Sequence, residues 1–251
     1  MPILTRDDGP DLAFDYDAGM MHPEVCVVFC HGFASVRNGE KSAVFRAHAR
    51  RAGWSFLTFD ARGHGDSGGG MHTFTFSGYL ADLAAMLDGP LSGASRIVLV
   101  GSSLGGAAVL YAACRLPARI AAVCAIAPGL GFARRFCDVL PAAELAEWRK
   151  TGRRIVNNAW IGVELGFEFV VDGDRYDESE PTGITVPVLL LHGSADEVVP
   201  AEVSRRFAQD FRGKTLDFRL IEGGDHRLAA VKEQLGDWVD AWVRRHAVPA
   251  P

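Results

Sequence analysis

The chain has 251 residues, 48% of them hydrophobic and 23% charged, a balance that suits one folded domain and excludes the polar, charge-heavy composition of a disordered chain. Its formal charge of −5 is spread over interspersed acids and bases, with no basic run beyond pairs such as Arg50-Arg51, which excludes a nucleic-acid-binding tract. No window approaches the roughly 18 apolar residues of a membrane span, and the first eight residues lack the basic start and apolar run of a signal peptide, so the expected location is cytoplasmic.

Two short strands, 3–6 and 12–16, flank the turn-prone Asp7-Asp8-Gly9-Pro10 and predict an antiparallel edge hairpin. Apolar, β-branched runs follow at 25–30, 54–59, 96–101, 120–127, 187–192 and 216–221. Stretches with apolar residues three and four apart alternate with them at 40–52, 76–88, 103–116, 201–211 and 228–246. This alternation predicts an α/β fold, a mostly parallel sheet of about eight strands with helices on both faces. Between 127 and 187 the rhythm breaks, over a stretch far longer than one crossover needs. It reads as a small inserted cap, residues 129–186, on a core made of 1–128 and 187–251. The first part of the cap, 132–150, is amphipathic and helical, and the second, 161–176, mixes aromatics with glycine and acids; Asp138, Asp172 and Asp174 are assigned to solvent. Five cysteines form no Cys-x-x-Cys pair, and Cys26, Cys30 and Cys124 inside apolar runs read as reduced core thiols.

The strongest chemical signal is Gly101-Ser102-Ser103-Leu104-Gly105, between the strand ending near 101 and the helix that follows. A serine on a tight strand-to-helix turn holds its hydroxyl above the sheet edge, and glycines two residues either side let the backbone turn that sharply. A serine hydroxyl needs a base, and the base needs an orienting acid, in the chain order Ser, acid, His. Asp196 lies just past the strand Leu189-Leu190-Leu191, and His226 follows the last strand by the loop Glu222-Gly223-Gly224-Asp225. All three candidates fall at the C-terminal edge of one parallel sheet, where such sheets place their ligands. Asp196 outcompetes the alternative acid position past the strand ending at 127, which reads Pro128-Gly129 and offers no carboxylate.

The helix start places the Leu104 N–H and its positive dipole end beside the oxygen that becomes charged. A second oxyanion donor is expected from Cys30-His31-Gly32-Phe33, where Gly32 lets the backbone approach and the Phe33 N–H joins that of Leu104. His31 itself reads as a residue that pins this loop. Gly63-His64-Gly65-Asp66-Ser67-Gly68 matches a dinucleotide-binding spacing, but no helix opens at Gly68 and Asp66 would repel a pyrophosphate. No cofactor or metal is implied, since no His-Glu-x-x-His or comparable cluster occurs.

The His31-Gly32-Phe33 loop, the turn from Phe59 to Gly68, the elbow and Leu191-His192-Gly193-x-x-Asp196 together resemble the α/β-hydrolase superfamily across nearly the whole chain. Asn38-Gly39-Glu40-Lys41, Gly101-Ser102-Ser103-Leu104-Gly105-Gly106 and Asp225-His226-Arg227 look like the abhydrolase-domain palmitoyl-protein thioesterases and acyl-glucuronide esterases known from mitochondria. The resemblance implies an acyl-enzyme at Ser103, formed from a small-molecule or protein-borne acyl ester or thioester and hydrolysed by water that His226 activates. In the cap, Leu130, Phe132, Phe136, Leu140, Trp148, Trp160, Ile161, Leu165, Phe167 and Phe169 offer apolar lining for an acyl pocket, with packing among themselves the competing role. Arg134, Arg135, Arg153 and Arg154 offer charge for an anionic leaving group, with plain solvation the competing role. The rival functions are a non-catalytic small-ligand binder and a peptidase or C–C hydrolase of the same fold.

Overall fold

The computed structural model describes residues 2–157, 162–176 and 178–248. The chain opens with β1 (Ile3–Leu4) and β2 (Leu12–Asp17), antiparallel and registered Ile3 to Ala13. β1 stops short of the expected 3–6 as Arg6 leaves the strand to bind Asp82 at 2.7 Å. Strands and helices then alternate through β3 (His22–Cys30), α1 (Glu40–Ala52), β4 (Trp54–Phe59), α2 (Phe76–Asp88), β5 (Arg96–Ser102), α3 (Leu104–Arg115) and β6 (Ile120–Ile126). The next stretch holds α4 (Phe132–Asp138), α5 (Ala142–Thr151), the antiparallel pair β7 (Arg153–Asn157) and β8 (Gly162–Gly166), and α6 (Glu168–Gly173). The chain returns through β9 (Val188–Gly193), α7 (Ala201–Asp210), β10 (Leu216–Ile221) and α8 (Lys232–His246).

The described strands form an eight-stranded sheet ordered β1-β2-β4-β3-β5-β6-β9-β10, antiparallel at β1 and β2 and parallel from β4 onward. Its central strands are buried on both faces, which is why they read as unbroken apolar runs. Successive residues point to opposite sides, so Ile97 and Leu99 join the core beneath α2 and α3 while Val98 and Val100 join Phe45, Val239 and Trp242 beneath α1 and α8. The parallel register carries Cys30 to Gly101, Ser102 to Ile126, Ile126 to Leu191 and Gly193 to Ile221, so the loops after β3, β5, β9 and β10 leave from one edge.

The expected helix 132–150 is two helices, because Pro141 supplies no N–H and disfavours helical backbone at Leu140. β7 was not expected, its five residues being too few for alternation to stand out. Helix 228–246 begins only at Lys232, since Leu228 adopts φ 51° and Ala229–Val231 form a single 3₁₀ turn. Asp138 and Asp174 are exposed as expected, but the assignment of Asp172 to solvent is corrected. Asp172 is 3% exposed and accepts the Ser77 hydroxyl and, at 2.7 Å, the Ser77 N–H at the start of α2, which fastens α6 to the sheet's helical layer. Of the cap side chains weighed as pocket lining, Trp160 and Ile161 lie outside the described residues. Phe132, Phe136, Trp148, Phe167 and Phe169 pack ring to ring, with Phe136 and Phe169 reaching Phe33 at centroid separations of 6.4 and 5.4 Å.

Candidate active site

Ser103 occupies the single residue between the end of β5 and the start of α3, with φ 57° and ψ −121°. An L-residue avoids that backbone region at a cost of about 1–3 kcal/mol, and here the surroundings impose it. The Ser103 N–H donates to Ile126 O at 2.9 Å, and its carbonyl accepts from Gly129 and Ala107. Glycine is required on both sides: a Cβ at Gly101 would strike the Gly105 backbone, and one at Gly105 would strike the carbonyls of Cys30 and His31.

His226 Nε2 lies 3.1 Å from Ser103 Oγ, and its Nδ1 lies 2.7 Å from Asp196 Oδ2. The sequence-expected trio is thus brought into one hydrogen-bonded row, across separations of 123 and 30 residues. Asp196 sits in the turn after β9, where its Oδ1 accepts the N–H groups of Val198 and Val199, each at 2.8 Å. Its side chain is fully buried, and Oδ2 also lies 3.2 Å from His192 Nε2. Burial pushes this carboxyl up, but hydrogen bonds from His192, His226 and Val199 outweigh it and hold the group well below the usual carboxylate range.

The Leu104 N–H opens α3 and has no partner within the helix. Among the described residues the Phe33 N–H donates to no carbonyl or side chain. Its loop is held from several directions. Tyr79 Oη donates to His31 O at 2.6 Å, His31 Nδ1–H donates to Gly32 O, and His31 Nε2 accepts the Ala61 N–H at 3.0 Å. Burial, then the neighbouring His64, lowers the His31 imidazole to about 4, so it is neutral and its Nε2 stays an acceptor.

His64 does the same for Ala34, a residue at φ 52°: Nε2 accepts the Ala34 N–H at 3.1 Å while Nδ1–H donates to Arg62 O. The glycine-rich turn considered for a dinucleotide therefore braces the loop of Phe33, wrapped around Asp60, whose carboxylate takes the Arg37 and Asp66 N–H groups. The supporting roles of His64 and His192 escaped sequence reasoning; each lay inside a recognised segment without a signal of its own.

Of the four arginines weighed for an anionic leaving group, Arg153 pairs with Glu164 and Arg154 with Glu144. Arg134 lines a groove of about 520 Å³ between α4 and α7 that neither Ser103 nor His226 lines. Arg135 feels the charge of Asp196; burial lowers its guanidinium, and Glu178 and Asp196 oppose that. Among the described residues no group of three potential metal ligands occurs, and no helix is long and apolar enough to cross a membrane.

The mouse mitochondrial palmitoyl-protein thioesterase ABHD10 is 28% identical over 91% of this chain and 76% of its own length. The bifunctional esterase/perhydrolase DCH of Acinetobacter calcoaceticus is 26% identical over 87% of this chain and 91% of its own. The solved structure of the mouse alpha/beta hydrolase domain-containing protein 10 superposes with a TM-score of 0.85 at 27% identity, covering 97% of this chain and 98% of that one. The ferulic-acid-bound Est1E of Butyrivibrio proteoclasticus, at 23% identity and a TM-score of 0.80, shares the fold over 98% of this chain and 99% of its own. The family model described as the alpha/beta hydrolase family matches residues 27–241, and with a parallel sheet and strand-to-helix turn of this kind the chain belongs to that family.

Proposed function

We propose that the protein is a serine hydrolase that cleaves carboxylic esters or acyl thioesters through an acyl-enzyme at Ser103. The observation that carries this reading is the row Ser103 Oγ, His226 Nε2, His226 Nδ1, Asp196 Oδ2 at 3.1 and 2.7 Å, standing on a strained turn beside the Phe33 loop. In this reaction His226 takes the Ser103 proton as Oγ attacks the acyl carbon, and the Phe33 and Leu104 N–H groups receive the negative oxygen. His226 then returns the proton to the departing thiol or alcohol. A water, deprotonated by the same imidazole, attacks the acyl-enzyme and frees the acid and Ser103. Asp196 keeps the Nδ1 proton of His226 in place and balances the transient imidazolium. The cap, residues 129–186, contributes the aromatic wall around Phe33 against which an acyl chain lies.

The relatives named palmitoyl-protein thioesterases support a thioester, including one borne by a protein, and the esterase DCH supports an oxygen ester. The reading includes a cytoplasmic location, whereas the mouse relative is named mitochondrial; cell fractionation distinguishes the two. The test is labelling by a fluorophosphonate probe, together with hydrolysis of acyl thioesters and p-nitrophenyl acyl esters of increasing chain length. Ser103→Ala is expected to lose both labelling and turnover while remaining folded. Full residual activity in that variant, or an unlabelled but folded wild type, rejects the hydrolase and leaves a ligand-binding protein.

A further inference from the structure

His192 is the fifth residue of β9, four positions before Asp196, and is fully buried. Both of its ring nitrogens are engaged. Nε2 lies 2.9 Å from Val199 O and 3.2 Å from Asp196 Oδ2, and Nδ1 lies 2.6 Å from Ser204 Oγ on α7. Facing two acceptors, Nε2 carries a proton, and Ser204 fixes the other side of the ring. Asp196 therefore receives two backbone N–H groups on Oδ1, and a nitrogen from each of two imidazoles lies near Oδ2, at 2.7 and 3.2 Å.

We propose that His192 is a positioning residue for His226: braced by Ser204, it shares its one Nε2–H between Val199 O and Asp196 Oδ2 and sets the carboxylate in the orientation from which Oδ2 holds His226 Nδ1–H. The inference rests on the hydrolytic reading above. His192 moves no proton in the reaction and touches no reacting atom. A histidine that merely packed under β9 would need partners only for its own nitrogens. This one shares with His226 the very oxygen that orients the base, and its ring reaches from the acid turn to Ser204 on α7.

The ionisable groups around Asp196 are His192 from β9, His226 from the loop ahead of α8, Arg135 from α4 and Lys41 from α1. Of these ionisable groups the two histidines bring a side-chain nitrogen within 4 Å of its carboxylate. Removing the His192 donor lets Asp196 return toward the usual carboxylate range, so its protonation intrudes sooner as pH falls.

The experiment measures kcat and KM for a p-nitrophenyl ester from about pH 3 to 9 in wild type, His192→Phe, His192→Gln and Ser204→Ala, with folding checked by circular dichroism at each end of the range. In His192→Phe, kcat is expected to fall roughly ten- to a hundredfold, as for a lost hydrogen bond to a charged group, with KM changing less than about threefold. The acid side of its kcat/KM profile moves to higher pH. Gln, whose amide N–H reaches toward the place of Nε2, restores most of both. Should His192→Phe not fold, Ser204→Ala, which frees the ring but leaves it in place, is expected to show a smaller shift in the same direction. An acid side that does not move in the folded variants, or equal losses in the Phe and Gln variants, overturns the proposal. A wild type that is not labelled by fluorophosphonate at Ser103 overturns the hydrolytic reading instead, and the two failures are thus distinguishable.

Discussion

At the scale of single residues, the site depends on side chains that hold backbone as much as on those that face a substrate. The Phe33 N–H is aimed by the loop around it, and that loop hangs on two neutral imidazoles, His31 through Ala61 and His64 through Ala34. Neutrality is essential to this arrangement, since a protonated ring has two donors and no acceptor. Replacing His64 by Phe keeps the ring that packs edge-on against Phe74, at 4.9 Å between centroids, but leaves the part-buried Ala34 N–H without its acceptor. The loop is then free to turn away from Ser103. With the Phe33 N–H as the proposed oxyanion donor, whose full loss costs about a hundred- to a thousandfold in rate, its displacement is expected to lower kcat by roughly tenfold with little change in KM. Steady-state kinetics on a p-nitrophenyl ester checks this; an unchanged kcat means that His64 serves packing alone.

At the scale of elements, the central strands bury their cysteines so fully that no thiolate forms near neutral pH. Desolvation pushes Cys26 up to about 12 and carries Cys30 and Cys124 higher still. Cys114 on α3 and Cys137 on α4 are only partly buried, and burial raises them as well, assisted by Glu180 and by Asp174 respectively. Native protein treated with a thiol reagent at about pH 8 is therefore expected to react slowly, at Cys114 and Cys137 only, with the strand cysteines appearing after unfolding. Rapid modification of Cys26, Cys30 or Cys124 in folded protein contradicts this burial. The elements between β6 and β9 show the limits of local pattern. Pro141 was visible in the sequence, and its effect on a helix follows from its covalent structure. Nothing local announces that β7 and β8 pair, or that Asp172 fastens α6 to the first turn of α2.

At the scale of the whole molecule, histidines held neutral by burial link stability to pH. The His31 imidazole titrates at 6.5 when unfolded and about 4 when folded, and burial lowers His64 as well. Between those values the unfolded chain binds more protons than the folded one, so stability rises with pH across the window and is complete above about pH 6.5. The melting temperature is expected to fall steadily as pH drops from about 6.5 toward 4, before carboxylates such as Asp17 and Asp196, held below their usual range, begin to add to the loss. A melting temperature that stays level over this window shows that these rings become charged without cost.

By itself the sequence determined the kind of fold, the order of its strands along the chain, and three candidate residues each at the end of a predicted strand. These follow from periodicity, turn chemistry and chain order, all of which act over a few residues. Only the tertiary structure decided that Ser103, His226 and Asp196 stand within hydrogen-bond reach, because that depends on the register of β5, β9 and β10 and on distances no local pattern encodes. It also decided which histidines support the site and which arginines are spent on glutamates. A side chain's partner is settled by whatever distant segment the packed sheet and cap bring against it, and that information belongs to the fold as a whole.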